Sequence, residues 1–185
     1  FLEQYVKPFR MALKAKPAMV MTAFNAIDRK PISGNKELLR DLLRDKEGFD
    51  GTVISDWGSI GQLKEQGVAA NMDEAASQAI EAGVDIDMMS PAYMFRLEEL
   101  VKNGQIPESF IDESAFRVLM MKNQLGLFEN PFAGIGKSGN LTQYNRTKAY
   151  QMASESYVLL KNEKILPLSQ KQKVIWAGPY VTSKE

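Results

Sequence analysis

Apolar positions along this chain follow two rhythms in turn, one helical and one strand-like. Leu2, Tyr5, Val6, Phe9 and Met11 to Leu13 recur at roughly helical spacing, with Pro8 as an interruption and Pro17 as a stop. Ala18 to Phe24 is an unbroken apolar run and reads as a strand. Residues 25–35 hold Asp28, Pro31, Ser33 and Gly34, which predict a loop. Lys36 to Arg44 places Leu38, Leu39, Leu42 and Leu43 on one helical face, with Asn35 as N-cap. Gly48 and Gly51 frame a turn into a second strand over residues 52–56. A helical turn or two follows over 59–67. Asn71 to Ala82 is a stronger helix, because Asn71 and Glu74 have capping-box spacing and Gly83 stops it. Its buried face is Ala75, Ala76, Ala79 and Ile80. Val84 to Met89 predicts a third strand. Ser90 as N-cap and Pro91 at the first position open a helix to about Asn103, before Gly104. Asp112 to Gln124 is a further helix, closed by Gly126.

These strands recur about every 30 residues with helices between them, the period of a parallel βαβ unit. After Gly126 the pattern changes. Phe128 to Asn140 has the Pro and Gly content of a linker, and a helix is expected over about Thr147 to Tyr157. A new strand is expected at Val174 to Ala177, with Trp176 packed in a second domain. A (β/α)8 barrel takes roughly 250 residues and eight strands. The expected class is therefore α/β: about the last three β/α units of such a barrel, a linker, and the first element of another domain. The boundaries expected are 1–126 for the barrel portion, 127–164 for the linker and connecting helix, and 165–185 for the start of the next domain. Phe1 lies inside a helical pattern, with neither an initiator Met nor a signal peptide before it, which reads as a piece of a longer protein.

Composition narrows the chemistry. Lys plus Arg and Asp plus Glu number 23 each, so the net charge is zero and no nucleic-acid footprint is expected. No segment approaches the ~18 consecutive apolar residues of a membrane span. The chain has no cysteine and no histidine. Disulfides, Cys or His metal sites and His-based nucleophile systems are thereby excluded. No cofactor and no metal are expected. Acid–base chemistry must run on Asp, Glu, Lys or Tyr.

The richest stretch for such chemistry is Gly48-Phe49-Asp50-Gly51-Thr52-Val53-Ile54-Ser55-Asp56-Trp57-Gly58. It ends a strand in a carboxylate, an aromatic ring and a turn. In parallel α/β folds the C-terminal tips of strands hold ligands. An acid beside a flat apolar surface suits a sugar ring. The plainer alternative is that Asp56 caps the next helix. Asp85 and Asp87 are rivals, but buried carboxylates on a strand more often bond backbone or a basic partner, so a structural role is expected. Asp28, Lys30 and Asn35 are expected in a solvated turn. Met88, Met89, Met94, Met120 and Met121 are expected to pack in the core. Gly134 to Gly139 ends in Gly-Lys-Ser, but its spacing falls short of a phosphate loop. Asn140-Leu141-Thr142 and Asn145-Arg146-Thr147 fit the glycosylation pattern, which has meaning only in a secreted eukaryotic protein.

Met21-Thr22-Ala23-Phe24-Asn25, Gly34 to Arg44, and Gly48 to Trp57 together resemble family 3 glycoside hydrolases of the β-glucosidase and β-xylosidase type. The resemblance continues through Ala82 to Met89, Leu125 to Pro131 and Ser154 to Asn162, in the same order. It implies a barrel followed by an α/β sandwich domain, with the active site between them. It implies hydrolysis of terminal β-linked sugars with retention, through a covalent glycosyl-aspartate on Asp56. Trp57, Met21 and Phe24 are then substrate-binding residues. The family has Tyr where this chain has Phe24, so a hydroxyl near the nucleophile is missing. The general acid/base belongs to the sandwich domain, and further sugar-binding residues precede the stretch matched here, so the chain by itself is expected to be inactive. Carbohydrate is the expected partner, along with the remaining parts of its own protein, and a periplasmic or secreted location is expected. For a retaining mechanism, Ser55 and the amides near Gly58 are expected to hydrogen-bond the Asp56 carboxylate. A non-catalytic carbohydrate-binding relative, an N-acetyl-β-glucosaminidase of the same family, and an unrelated barrel acting on phosphorylated substrates remain as alternatives.

Overall fold

The computed structural model describes residues 1–132, 135 and 143–182. The chain divides into two units, Phe1–Ala133 and Gly134–Glu185. The first opens with a π-helical turn, Leu2–Val6, and helix α1, Lys7–Leu13. Strand β1 is Met19–Met21, and a short antiparallel hairpin follows, β2 at Ala26–Ile27 and β3 at Lys30–Pro31. A π-helix, Glu37–Lys46, leads to β4 at Thr52–Ile54. Helices α2 (Gln62–Glu65), α3 (Met72–Ala82), α4 (Ala92–Lys102) and α5 (Glu108–Gln124) complete the unit.

Entry into β4 depends on a close approach. A Cβ on Gly51 would lie 2.6 Å from the Ala18 carbonyl oxygen and 2.6 Å from the Phe49 ring, so a bare backbone is required there. Thr52 N–H then reaches Ala18 O at 3.0 Å, and β1 pairs with β4 in parallel, Met21 opposite Ile54. The third expected strand shrinks to one parallel bridge, Ile54 to Ile86. After Ile86 the backbone leaves the ladder: Met88 N–H goes to the Ser55 hydroxyl and Met88 O to the Gly58 amide, while the Asp87 carboxylate accepts from Ser90 N–H and Tyr93 N–H. Asp87 thus satisfies one first-turn amide of α4, that of Tyr93, and Ser90, whose hydroxyl accepts from Gly61 N–H, is not the cap.

Helix α3 is the centre of the core. Asn71 Oδ1 accepts from Glu74 N–H at 2.9 Å, while Glu74 Oε2 accepts from Ala70 N–H. Gly83 ends the helix at φ +92, a left-handed cap. Ala75, Ala76, Ala79 and Ile80 are all buried, as their spacing predicts. They join Val53, Ile60, Leu63, Val84 and Leu100 in one apolar cluster.

Asp85 anchors the polar side of this core. Its fully buried carboxylate accepts from Arg44 Nη2 at 2.7 Å, Arg117 Nη1 at 2.9 Å and Val53 N–H at 2.8 Å. Arg44 also donates to the Gly51 and Gly83 carbonyls. Burial lowers the Arg44 pKa, and Asp85 opposes that shift. Burial also works upward on Glu113, but hydrogen bonds and charge from Arg40 and then Arg117 hold its carboxyl below the usual range. The expected structural role of Asp85 and Asp87 is what the contacts show.

In the second unit, helix α6 runs over Gln143–Ser156, four residues earlier than the sequence spacing places it. No strand forms at Val174–Ala177, and Trp176 is exposed rather than packed. A strand needs a partner edge, and this unit offers no other extended pairing among the described residues. The Gly-Lys-Ser stretch at Gly136–Gly139, part of the expected linker and Asn140 lie outside the described residues. Asn145 falls within α6.

Candidate active site

The parallel pair β1–β4 ends at one edge with Met21 and Ile54 side by side. Asp56 lies two residues beyond Ile54, and Phe24 three beyond Met21, so all four candidate residues emerge at the C-terminal end of the pair. Asp56 is half-buried; Trp57, Met21 and Phe24 are exposed, Trp57 at 63%. Thr22 N–H donates to Ile54 O, extending the pairing to the foot of the site.

Asp56 does not cap a helix. Its Oδ1 accepts from the adjacent Trp57 N–H at 2.7 Å, and α2 begins only at Gln62. The sequence-based expectation for its other donors needs correction. Ser55 Oγ donates to the Asp56 backbone carbonyl and accepts from Met88 N–H, while Gly58 N–H goes to Met88 O at 2.7 Å. These groups fix the loop rather than the carboxylate.

Two sets of bonds sequence reading missed hold that loop. A buried hydroxyl chain, Thr22–Ser33–Ser59, has both O···O distances at 2.8 Å. It ties the end of β1 and the helical turn after β3, Ile32–Gly34, to the turn after Trp57. On the other side, Gly61 N–H donates to Ser90 Oγ at 3.0 Å. Scattered Ser and Thr carry no spacing signal, so only the fold reveals them as a set. Gln66 Nε2 also donates to Phe24 O.

Of the remaining candidates, Lys30 and Asn35 are engaged elsewhere, and Asn35 is buried rather than in a solvated turn. Asp28 and Arg29 both take positive φ in the two-residue turn between β2 and β3, Lys30 pairs with Glu37, and Asn35 Oδ1 accepts from Leu38 N–H. A hairpin replaces the expected open loop, and its turn lacks the Asn-Gly or Asp-Gly that signals one in sequence. An apolar cavity of about 600 Å³ lies between α1, β1 and the π-helix; it touches Met21 but not Asp56, Trp57 or Phe24. The methionines correct another expectation: Met89, Met94 and Met120 are exposed, not core. Among the described residues no cluster of acidic side chains could hold a metal ion.

Comparison with known proteins gives a consistent picture. Residues 1–121 match the Glycosyl hydrolase family 3 N terminal domain. The chain is 34% identical over 188 residues to a periplasmic beta-glucosidase of Salmonella typhimurium, covering 97% of this chain and 25% of that one. It is 40% identical over 187 residues to a putative beta-xylosidase of Formosa agariphila, covering 97% of this chain and 25% of the relative. A crystal structure of beta-glucosidase from Listeria innocua superposes with a TM-score of 0.73 at 42% identity, over 90% of this chain and 24% of that one. That enzyme is also known in complex with glucose. The chain thus spans about a quarter of the length of these relatives.

Proposed function

This chain belongs to glycosyl hydrolase family 3, and on that premise we propose that it carries the nucleophile of a retaining β-glycosidase acting on terminal β-glucosides or β-xylosides. Asp56 is that nucleophile. The observation that carries the reading is its carboxylate, placed at a strand tip beside an exposed Trp57 and engaged by Trp57 N–H rather than by a helix start. Relatives named as beta-glucosidase and beta-xylosidase support the substrate class.

Retention requires two carboxyls about 5–5.5 Å apart, one attacking the anomeric carbon and one protonating the leaving group. Asp56 supplies the first. Its oxygen forms a bond to the anomeric carbon as the glycosidic C–O bond breaks, and water later cleaves the ester. The proton donor belongs to a part of the protein outside these residues, in line with a chain that spans a quarter of its relatives. Trp57, Met21 and Phe24 give the sugar apolar surface at the same strand end. The parallel pair, its bridge to Ile86 and the alternating helices are read as the last three β/α units of a (β/α)8 barrel over residues 1–126, with a linker and connecting helix over 127–164 and the start of a second domain at 165–185. The Salmonella relative's name supports a periplasmic or secreted location.

The test is covalent trapping. In the whole protein, a slow fluorosugar with an activated leaving group should label a peptide containing Asp56, and Asp56→Ala should lose several orders of magnitude in turnover. Azide should restore cleavage of an activated aryl glycoside to that variant. A label found on another carboxylate, or near-normal activity in Asp56→Ala, removes the assignment.

A further inference from the structure

Met89 has a backbone that ordinary residues avoid and a side chain that the core does not use. Its φ is +64, and it is 61% exposed. Left-handed φ at a non-glycine residue persists only where the surroundings over-determine it, and such residues collect at ligand sites. Here the surroundings are visible on both sides. Before Met89, Met88 N–H donates to Ser55 Oγ at 2.8 Å, and Met88 O accepts from Gly58 N–H at 2.7 Å. After it, Ser90 N–H donates to Asp87 Oδ1, and Ser90 Oγ accepts from Gly61 N–H at 3.0 Å. Residues 88 and 90 are therefore both stitched to the loop that carries Asp56 and Trp57. The residue between them is fixed at its backbone on both flanks, and its side chain is exposed.

We propose that Met89 is a specificity-determining residue that forms, with Trp57, an apolar wall against which the pyranoside ring at Asp56 lies. The inference rests on the reading of Asp56 as nucleophile. A sugar ring has a face of C–H groups that needs an apolar partner. A thioether side chain is unbranched and polarisable, so it fits ring surfaces of varied shape. Exposed apolar side chains scattered singly need no explanation. This one differs because its strained backbone is flanked on both sides by hydrogen bonds to the loop that carries another exposed apolar residue, Trp57.

The test uses the whole protein and an aryl β-glucoside. Met89→Gly suits the backbone and removes the side chain, and Met89→Asn tolerates the same φ with a short polar group. Both should raise KM about tenfold, the scale of a lost apolar contact, with kcat little changed and the melting temperature within a few degrees of the parent. Met89→Leu keeps apolar bulk and should keep KM within about threefold. If Gly and Asn variants bind substrate as the parent does while Asp56→Ala is inactive, the role of Met89 is overturned and the nucleophile stands. If Asp56→Ala is active, the underlying reading falls and this inference falls with it.

Discussion

Asp56 and Trp57 are neighbours in sequence with opposite surroundings. The carboxylate is half-buried and bonded to the next amide; the indole is 63% exposed. Burying a large ring against partner atoms contributes roughly 1–3 kcal/mol, and an exposed ring forgoes most of that within its own fold. Trp57→Ala should therefore cost about 1–3 kcal/mol in transition-state stabilisation for an aryl glucoside and much less in unfolding free energy. Parallel measurements of kcat/KM and urea unfolding check this. Loss of stability with full activity per folded molecule would make Trp57 a packing residue. The pair was legible in the sequence because an apolar run followed by an acid and an aromatic marks a strand tip. The carboxylate's own bonding was not legible. Ser55 stands next to Asp56 in the chain, yet its hydroxyl serves the backbone of Asp56 and Met88.

At the scale of elements, caps and buried faces were readable where local chemistry decides them. Asn71, Glu74 and Gly83 bracket α3 as their spacing predicts, because caps depend on residues within one turn. The third strand misled for a non-local reason: Val84 to Met89 has strand composition, but beyond Ile86 the Met88 backbone bonds to the Ser55 hydroxyl and the Gly58 amide instead of a strand. Val174 to Ala177 likewise has strand composition without a partner. The charged centre was half legible. Asp85 was assignable to a structural role, but its partners come from 41 and 32 residues away in sequence. Those partners make its removal costly. Asp85→Asn leaves Arg44 and Arg117 facing a neutral group in a site where the Asp85 side chain is fully buried. Breaking one side of a buried ion cluster costs about 3–5 kcal/mol. The urea midpoint should fall accordingly, whereas a loss under about 1 kcal/mol would mean that solvent reaches the two guanidinium groups.

For the molecule as a whole, residues 1–185 alone should show no hydrolysis of an aryl β-glucoside, since the proposed chemistry needs a second carboxyl from elsewhere. Activity abolished by Asp56→Ala would move the proton-donor role to Glu37, Glu65 or Glu155. Stability should also vary with pH at both ends of the scale, through groups away from the site. Glu113 is held below its ordinary value of 4.5: burial pushes upward, but hydrogen bonds and charge from Arg40 and Arg117 outweigh it. A depressed carboxyl contributes stability that is present above the unfolded value and is lost as pH falls through the folded one. Tyr93 lies the other way. Burial, then the charges of Asp87 and Asp85, raise it well above 10.0, and its hydroxyl donates to Val84 O at 2.7 Å. A raised group contributes stability that is complete below the unfolded value and is lost as pH climbs toward the folded one. The melting temperature should therefore drop below pH about 4.5 and again above pH about 10. Glu113→Gln should flatten the acid limb relative to the parent, and Tyr93→Phe the alkaline limb. Each variant leaves the opposite limb as it was. A Tyr93→Phe curve parallel to the parent above pH 10 would show that the folded protein ionises that phenol as readily as the unfolded chain does.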